Sequence, residues 1–181
     1  MSEFKIDEAS KALKPFSEKQ KANAAVAILL KKDKLETKIL FVKRAENPKD
    51  PWSGQIGLPG GKQSPRDKDL KETVFREIRE ETNVNLDRCR LLGVIRTVRS
   101  QLNPEIKVVP FVFLLDREPM IRLNRNELEE YYWIPIGDLI NNERTVAFGS
   151  RMHPAFVIGE VKIWGLTFRI LKEFFRILSV G

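Results

Sequence analysis

Residues 46–67, ENPKDPWSGQIGLPGGKQSPRD, hold four prolines and four glycines, and residues 69–82 hold neither. This change of composition constrains the fold more than anything else in the chain. Pro removes a backbone donor and Gly loosens φ, so the first stretch reads as one long irregular loop, of the kind usually functional or disordered. The second reads as a helix running from Asp69 to Thr82. Before the loop, residues 24–31 (AAVAILLK) and 37–42 (TKILFV) are short apolar runs of strand length with a turn at Asp33-Lys34. They predict an antiparallel pair. After the helix, residues 91–98 and 107–115 predict strands joined by SQLNPE, then comes a short strand at 131–134 and a short helix in PIGDLINN. Residues 154–163 predict a connection with extended segments, and 165–178 an amphipathic C-terminal helix. Strands interspersed with helices predict an α/β (α+β) domain with a mixed sheet. Residues 1–23 form a lead-in, expected to be helical, and 24–181 a single domain.

The 181 residues carry 32 Lys and Arg against 25 Asp and Glu, a net charge of +7. A pI near 9.6 favours anionic partners: nucleic acid, acidic lipid or phosphorylated small molecules. One Cys and one His exclude a disulfide framework and His- or Cys-rich zinc sites. No apolar stretch of signal-peptide or membrane-span length is visible, which makes the cytoplasm the default location.

The helix carries Arg76-Glu77-Ile78-Arg79-Glu80-Glu81. At roughly 100° per residue from Leu70, Val74, Ile78 and Phe75 fall at roughly 40°, 80° and 140°, the buried stripe. Glu80, Glu77 and Glu81 fall at roughly 280°, 340° and 20°. Three carboxylates thus share one side of the helix, and Arg76 and Arg79 cannot neutralise them all. A Glu-rich face alone is more often simply solvated. The context is what points elsewhere: Leu58-Pro59-Gly60-Gly61-Lys62 precedes the helix, and paired glycines let a ligand approach bare main chain. A hard divalent cation is the natural partner for clustered carboxylates. A P-loop is excluded, since Ile56 and Gln63 stand where it needs Gly and Ser or Thr.

Gly61, the spacer and residues 76–84 (REIREETNV) resemble the Nudix box, G-x5-E-x7-R-E-U-x-E-E-x-G-U. Gly61 and Arg76 are 15 residues apart, one more than the general pattern. The early Glu has no direct counterpart, although Asp67 and Asp69 stand nearby, and the final Gly is Asn83. The sequence around the loop is similar to the coenzyme A pyrophosphatase branch: LFVKRA at 40–45, WSGQI at 52–56, LPGGKQSPRD at 58–67 and IWGLT at 163–167. It departs from that branch in its longer segment, in Leu58 for Phe and in Ser64 for the first Asp.

The resemblance implies an α/β/α sandwich and a hydrolase that cuts a nucleoside diphosphate linked to another moiety with Mg²⁺ or Mn²⁺. It implies Glu77 and Glu81 as metal ligands, Glu80 as a ligand or base, and the Gly61 carbonyl as a further ligand. Arg76 would orient a carboxylate, and Gly60, Lys62 and Arg44 would meet substrate, although Arg44 reads equally as a surface arginine. A base from a later loop would be Glu127, preferred over Glu105. Coenzyme A or a derivative is the implied substrate. ADP-ribose, dinucleoside polyphosphates and oxidised nucleoside triphosphates are the alternatives, and a non-catalytic nucleotide- or RNA-binding module is a third. The expected partner is a small nucleotide-type diphosphate, with no nucleic acid and no membrane, and a homodimer through the apolar C-terminal helix stays open. His153 is expected in a loop without chemistry, Cys89 as a semi-buried thiol, Trp133 and Trp164 in the core, and Trp52 as loop support or an adenine stack.

Overall fold

The computed structural model describes residues 10–33, 36–50 and 52–179. The first nine residues of the expected helical lead-in, and Lys34 of the expected turn, lie outside the described residues. Within the lead-in, residues 10–12 are helical and residues 13–23 run as turns and extended chain.

Strand β1 (Ala24–Lys32) is the axis of the fold. Its residues alternate between two apolar environments, so both faces of the strand are buried. It pairs in parallel with β7 (Lys107–Leu115) over its whole length and antiparallel with β2 (Thr37–Arg44) at one end. Strand β8 (Leu128–Pro135) joins β2, and β5 (Cys89–Val94) and β6 (Val98–Arg99) join β7, all antiparallel. One parallel pair among antiparallel ones makes the sheet mixed. The glycine-rich loop is less irregular than its composition predicts. Two short strands, β3 (Ile56–Gly57) and β4 (Gly60–Lys62), dock on β2 and β1 and draw the loop onto the sheet.

Helix α1 (Leu70–Thr82) covers one face of the sheet. Asp69 caps it by accepting the Glu72 N–H at 2.8 Å, and Asn83 ends it at φ 60°, the left-handed conformation that Asn tolerates. Leu70, Val74 and Ile78 pack against Ala25, Ala27, Leu29 and Phe113. The other face carries α2 (Ile136–Asn141) and α3 (Gly165–Ser179). Phe168, Ile170, Leu171, Phe174 and Phe175 of α3 are buried there against Ile28, Phe41 and Val112. Each such side chain contributes about 1.5–3 kcal/mol by leaving water. The apolar stripe of α3 is therefore core.

The α/β/α sandwich has one addition. Residues 143–164 form a separate antiparallel sheet of β9 (Glu143–Phe148), β10 (Arg151–Ile158) and β11 (Val161–Trp164), in the order β11-β10-β9. It lies in the α3 layer, where Phe156 and Ile163 join the core. Strand β9 is absent from the sequence reading, because only Val146 and Phe148 of its six residues are shielded from solvent. The N-terminal segment also finishes the opposite edge. Lys14 and Val94 exchange backbone hydrogen bonds at 3.4 and 2.8 Å, which places the segment alongside β5. Gly93, at φ 146°, makes this approach possible, since a Cβ there would lie 2.6 Å from the Lys14 carbonyl oxygen.

Candidate active site

A cavity of about 410 Å³ opens on the α3 side of the sheet, over Val26, Val42 and Val108. Three carboxylates face it: Glu77 and Glu81 from α1, and Glu127 from the turn before β8. Strand β4 brings α1 to the cavity. The Gly60 N–H donates to Glu81 Oε2 at 2.8 Å. At Gly61 the helix comes so close that a Cβ would lie 2.5 Å from the Glu77 carboxyl carbon. A side chain at Gly61 would have to displace the Glu77 carboxylate. The turn carrying Glu127 is tied to the end of α1 through Asn124 N–H to Glu81 O (2.9 Å) and Arg122 N–H to Thr82 O (3.0 Å).

Burial grades the three helix carboxylates as their angles on the wheel require. Glu81, nearest the apolar stripe, is 3% exposed. The Glu77 side chain is 16% exposed and that of Glu80 55%. Glu80 faces outward to Arg76 and is not part of the cavity lining. Burial raises the Glu81 carboxyl to about 8; the Gly60 N–H and the more distant Arg44 pull against this, while Glu77 and Glu127 add to it. Burial also raises Glu77, opposed by the Arg76 guanidinium.

Arg76 stands at the centre of the carboxylate face. It holds Asp67 bidentately, with Nε to Oδ1 at 2.9 Å and Nη2 to Oδ2 at 2.8 Å. Its Nη1 reaches Glu77 at 2.8 Å and Glu80 at 3.0 Å, and Nη2 also donates to the Lys62 carbonyl. The Arg76 guanidinium holds Asp67 well below the usual carboxylate range, helped by the Ser64 N–H and the Thr73 hydroxyl. Arg44 and Lys62 line the cavity, Arg44 with its Nε on Asp50 at 2.7 Å. Glu105 is exposed, its backbone carbonyl holding Asn23, away from the cavity lining.

A NUDIX domain family model matches residues 21–156. The chain belongs to the Nudix family. Over 168 residues it is 29% identical to the human mitochondrial coenzyme A diphosphatase NUDT8, covering 88% of this chain and 71% of that one. It is 32% identical over 108 residues to an uncharacterised protein of Schizosaccharomyces pombe, covering 56% of this chain and only 33% of that one. Among solved structures it superposes on the MutT protein of Methanosarcina mazei Go1 with a TM-score of 0.56 and 23% identity, covering 91% of this chain and 97% of that one. That likeness supports the α+β fold with its mixed sheet.

Three residues of this Nudix chain differ from their sequence reading. Asp67 carries no role there, yet its side chain is 5% exposed and locks Arg76 in place. Its signal was present: an acid nine residues before the box arginine, in a loop that must fold back. Trp164 is not core. It ends β11 half-buried and lines the cavity, as do Trp52 and His153, and His153 belongs to β10 and not to a loop. Trp133 is half-buried against the α1-side core, and Cys89 is half-buried with its thiol raised by burial.

The donor set fits a hard divalent cation. It contains only oxygen. Glu81 is buried with no guanidinium or ammonium of the described residues in ion-pair distance, a costly state for an ionised carboxylate. Among the described residues no three acidic, His or Cys side chains converge into a closed cluster. Arg76 holds Glu77 and Glu80 in ion pairs.

Proposed function

We propose that this Nudix chain hydrolyses the pyrophosphate bond of a nucleoside diphosphate linked to another moiety, with coenzyme A or a derivative as substrate. The observation that carries the reading is the buried Glu81 carboxylate, facing a cavity shared with Glu77, Glu127, Arg44 and Lys62 and lacking a cation of its own. The coenzyme A assignment is supported by the 29% identity to the human coenzyme A diphosphatase along most of this chain.

Glu77 and Glu81 would be the first ligands for Mg²⁺ or Mn²⁺, the Gly61 carbonyl would be a further one, and Glu80, which pairs with Arg76, would be a ligand or base. A bound divalent cation supplies charge neutralisation on the pyrophosphate oxygens and activation of a water. Arg76 holds Glu77 in its rotamer, and Asp67 fixes Arg76. Glu127 takes the proton of the attacking water as general base, exposed at the cavity and steadied by the Asn124 amide at 3.1 Å. Arg44, Lys62 and the Gly60 backbone meet the phosphates of the substrate. The partner is a small anionic molecule of the cytoplasm, and neither nucleic acid nor a membrane surface is needed. Among the described residues no helix is long and apolar enough to cross a membrane.

The deciding experiment is hydrolysis under Mn²⁺ of coenzyme A, ADP-ribose, a dinucleoside tetraphosphate and an oxidised nucleoside triphosphate, with products separated by chromatography. Coenzyme A should be cleaved between the two phosphorus atoms of its diphosphate bridge, with the highest kcat/KM. Preference for another member of the panel overturns the substrate, and inertness toward all four overturns the reaction.

A further inference from the structure

The cavity has more wall than pyrophosphate chemistry uses. His153, the single histidine of the chain, sits on β10 and Trp164 on β11, both half-buried and both lining the cavity that Glu77 and Glu81 face. Phe148, from β9, stacks on Trp164 with ring centroids 4.2 Å apart and planes 20° apart, and is itself outside the lining. His153 lies 5.4 Å from the Trp164 ring, inclined at 52°, and 6.1 Å from Phe148. Each ring comes from a different strand of one antiparallel sheet, in a register that pairs His153 with Val146 and Ala155 with Trp164. The trio is therefore held by backbone pairing and by mutual ring contact.

This arrangement has a chemical preference. With Phe148 stacked against one face, the half-buried indole is a supported flat surface that also lines the cavity. Such a surface takes a planar ring by stacking, largely independent of which ring it is. The imidazole beside it offers one donor and one acceptor when neutral, which matches the edge of a nitrogen heterocycle. A flexible aliphatic chain would find apolar contact on Leu166 and Ile170 of α3, but nothing to use the polar ring of His153.

We infer that Trp164 and His153 recognise the nucleobase of the substrate, the base stacked on the indole with its edge hydrogen-bonded to the imidazole. The diphosphate then runs from this wall toward Glu77 and Glu81. The inference rests on the pyrophosphohydrolase reading and assigns which part of the substrate occupies the β9–β11 sheet.

Because His153 is the only histidine, its imidazole proton resonances are unique in the spectrum of the unmodified protein. Metal-free protein is titrated with adenosine 5′-monophosphate and, separately, with ribose 5-phosphate. The nucleotide should move the imidazole signals and the sugar phosphate, at equal concentration, should not. In kinetics, His153→Ala should raise KM for coenzyme A about tenfold, the scale of one lost base contact, with kcat changing far less. His153→Gln, which keeps a donor and an acceptor, should recover part of that loss. Equal response of the imidazole to both ligands, or to neither, overturns the inference, as does an equal KM rise on a diphosphate diester without a base. The resonance experiment needs no turnover. If no substrate is hydrolysed, the reaction assignment fails while base recognition is still decided.

Discussion

Glu81 is an acid in an unusual position: buried to 3% exposure, paired with one backbone N–H, and raised from 4.5 to about 8. Folding without a cation therefore takes up a proton across that interval. Its contribution to stability is fully present below pH 4.5 and is lost as pH rises through about 8. Glu81→Gln separates function from folding. Turnover should fall by about 10²–10³-fold, on the scale of losing a preorganised charged group. Thermal melting of the metal-free variant should lose most of its decline between pH 5 and 8, because an amide does not titrate. Steady-state kinetics and a melting series in chelator measure the two effects. Much of this was legible in the sequence, since the helical wheel alone puts Glu81 closest to the apolar stripe and Glu80 furthest from it. Asp67 was not. Its bond to Arg76 joins a residue of the loop just ahead of the Asp69 cap to one inside α1, and it is the turn at Ser64–Asp67 that aims the Asp67 side chain along the helix.

Strand β4 shows how a three-residue element can set the geometry of a site. Its pairing with β1 fixes where Gly60 and Gly61 sit: the Gly60 N–H then holds Glu81, and the missing side chain of Gly61 leaves room for Glu77. Gly61→Ala should therefore act on catalysis more than on the fold. The added methyl would push the Glu77 carboxyl aside, and misplacement of about 1 Å costs about 10²-fold in rate. Circular dichroism should report a folded protein while kcat collapses. At this scale the sequence predicted the long elements well, because β1, β7, α1 and α3 each bury a continuous apolar face. It missed what depends on pairing. Strands β3 and β4 are hidden among prolines and glycines, and β9 is a solvent-facing edge whose ERTVAF carries little periodic signal. Trp164 reads as core for a related reason: an indole next to apolar neighbours looks the same in sequence whether it borders a cavity or fills one.

Across the whole molecule, a chain of net charge +7 places the most buried carboxylate of the described residues at the cavity proposed to take an anionic substrate. A divalent cation would resolve that conflict, and on the proposed function it should do so measurably. Saturating Mn²⁺ at 100 times its dissociation constant stabilises a one-site protein by about 2.7 kcal/mol. The melting temperature should rise accordingly in the unmodified protein and much less in Glu81→Gln. An equal rise in both would separate the cation from Glu81.

The N-terminal segment along β5 bears on aggregation. An uncovered strand edge offers a row of free donors and acceptors to any other chain. Here Lys14 occupies that row beside Val94, and Phe16 packs on Phe111 with ring centroids 5.0 Å apart. The family match begins only at residue 21, so a boundary drawn there would strip the cover from β5. A chain starting at residue 21 should associate in size-exclusion chromatography under conditions in which the 181-residue chain elutes at its own size. The residues ahead of position 21, none of which among the described ones lines the cavity, would then be what keeps the enzyme's sheet from recruiting strangers.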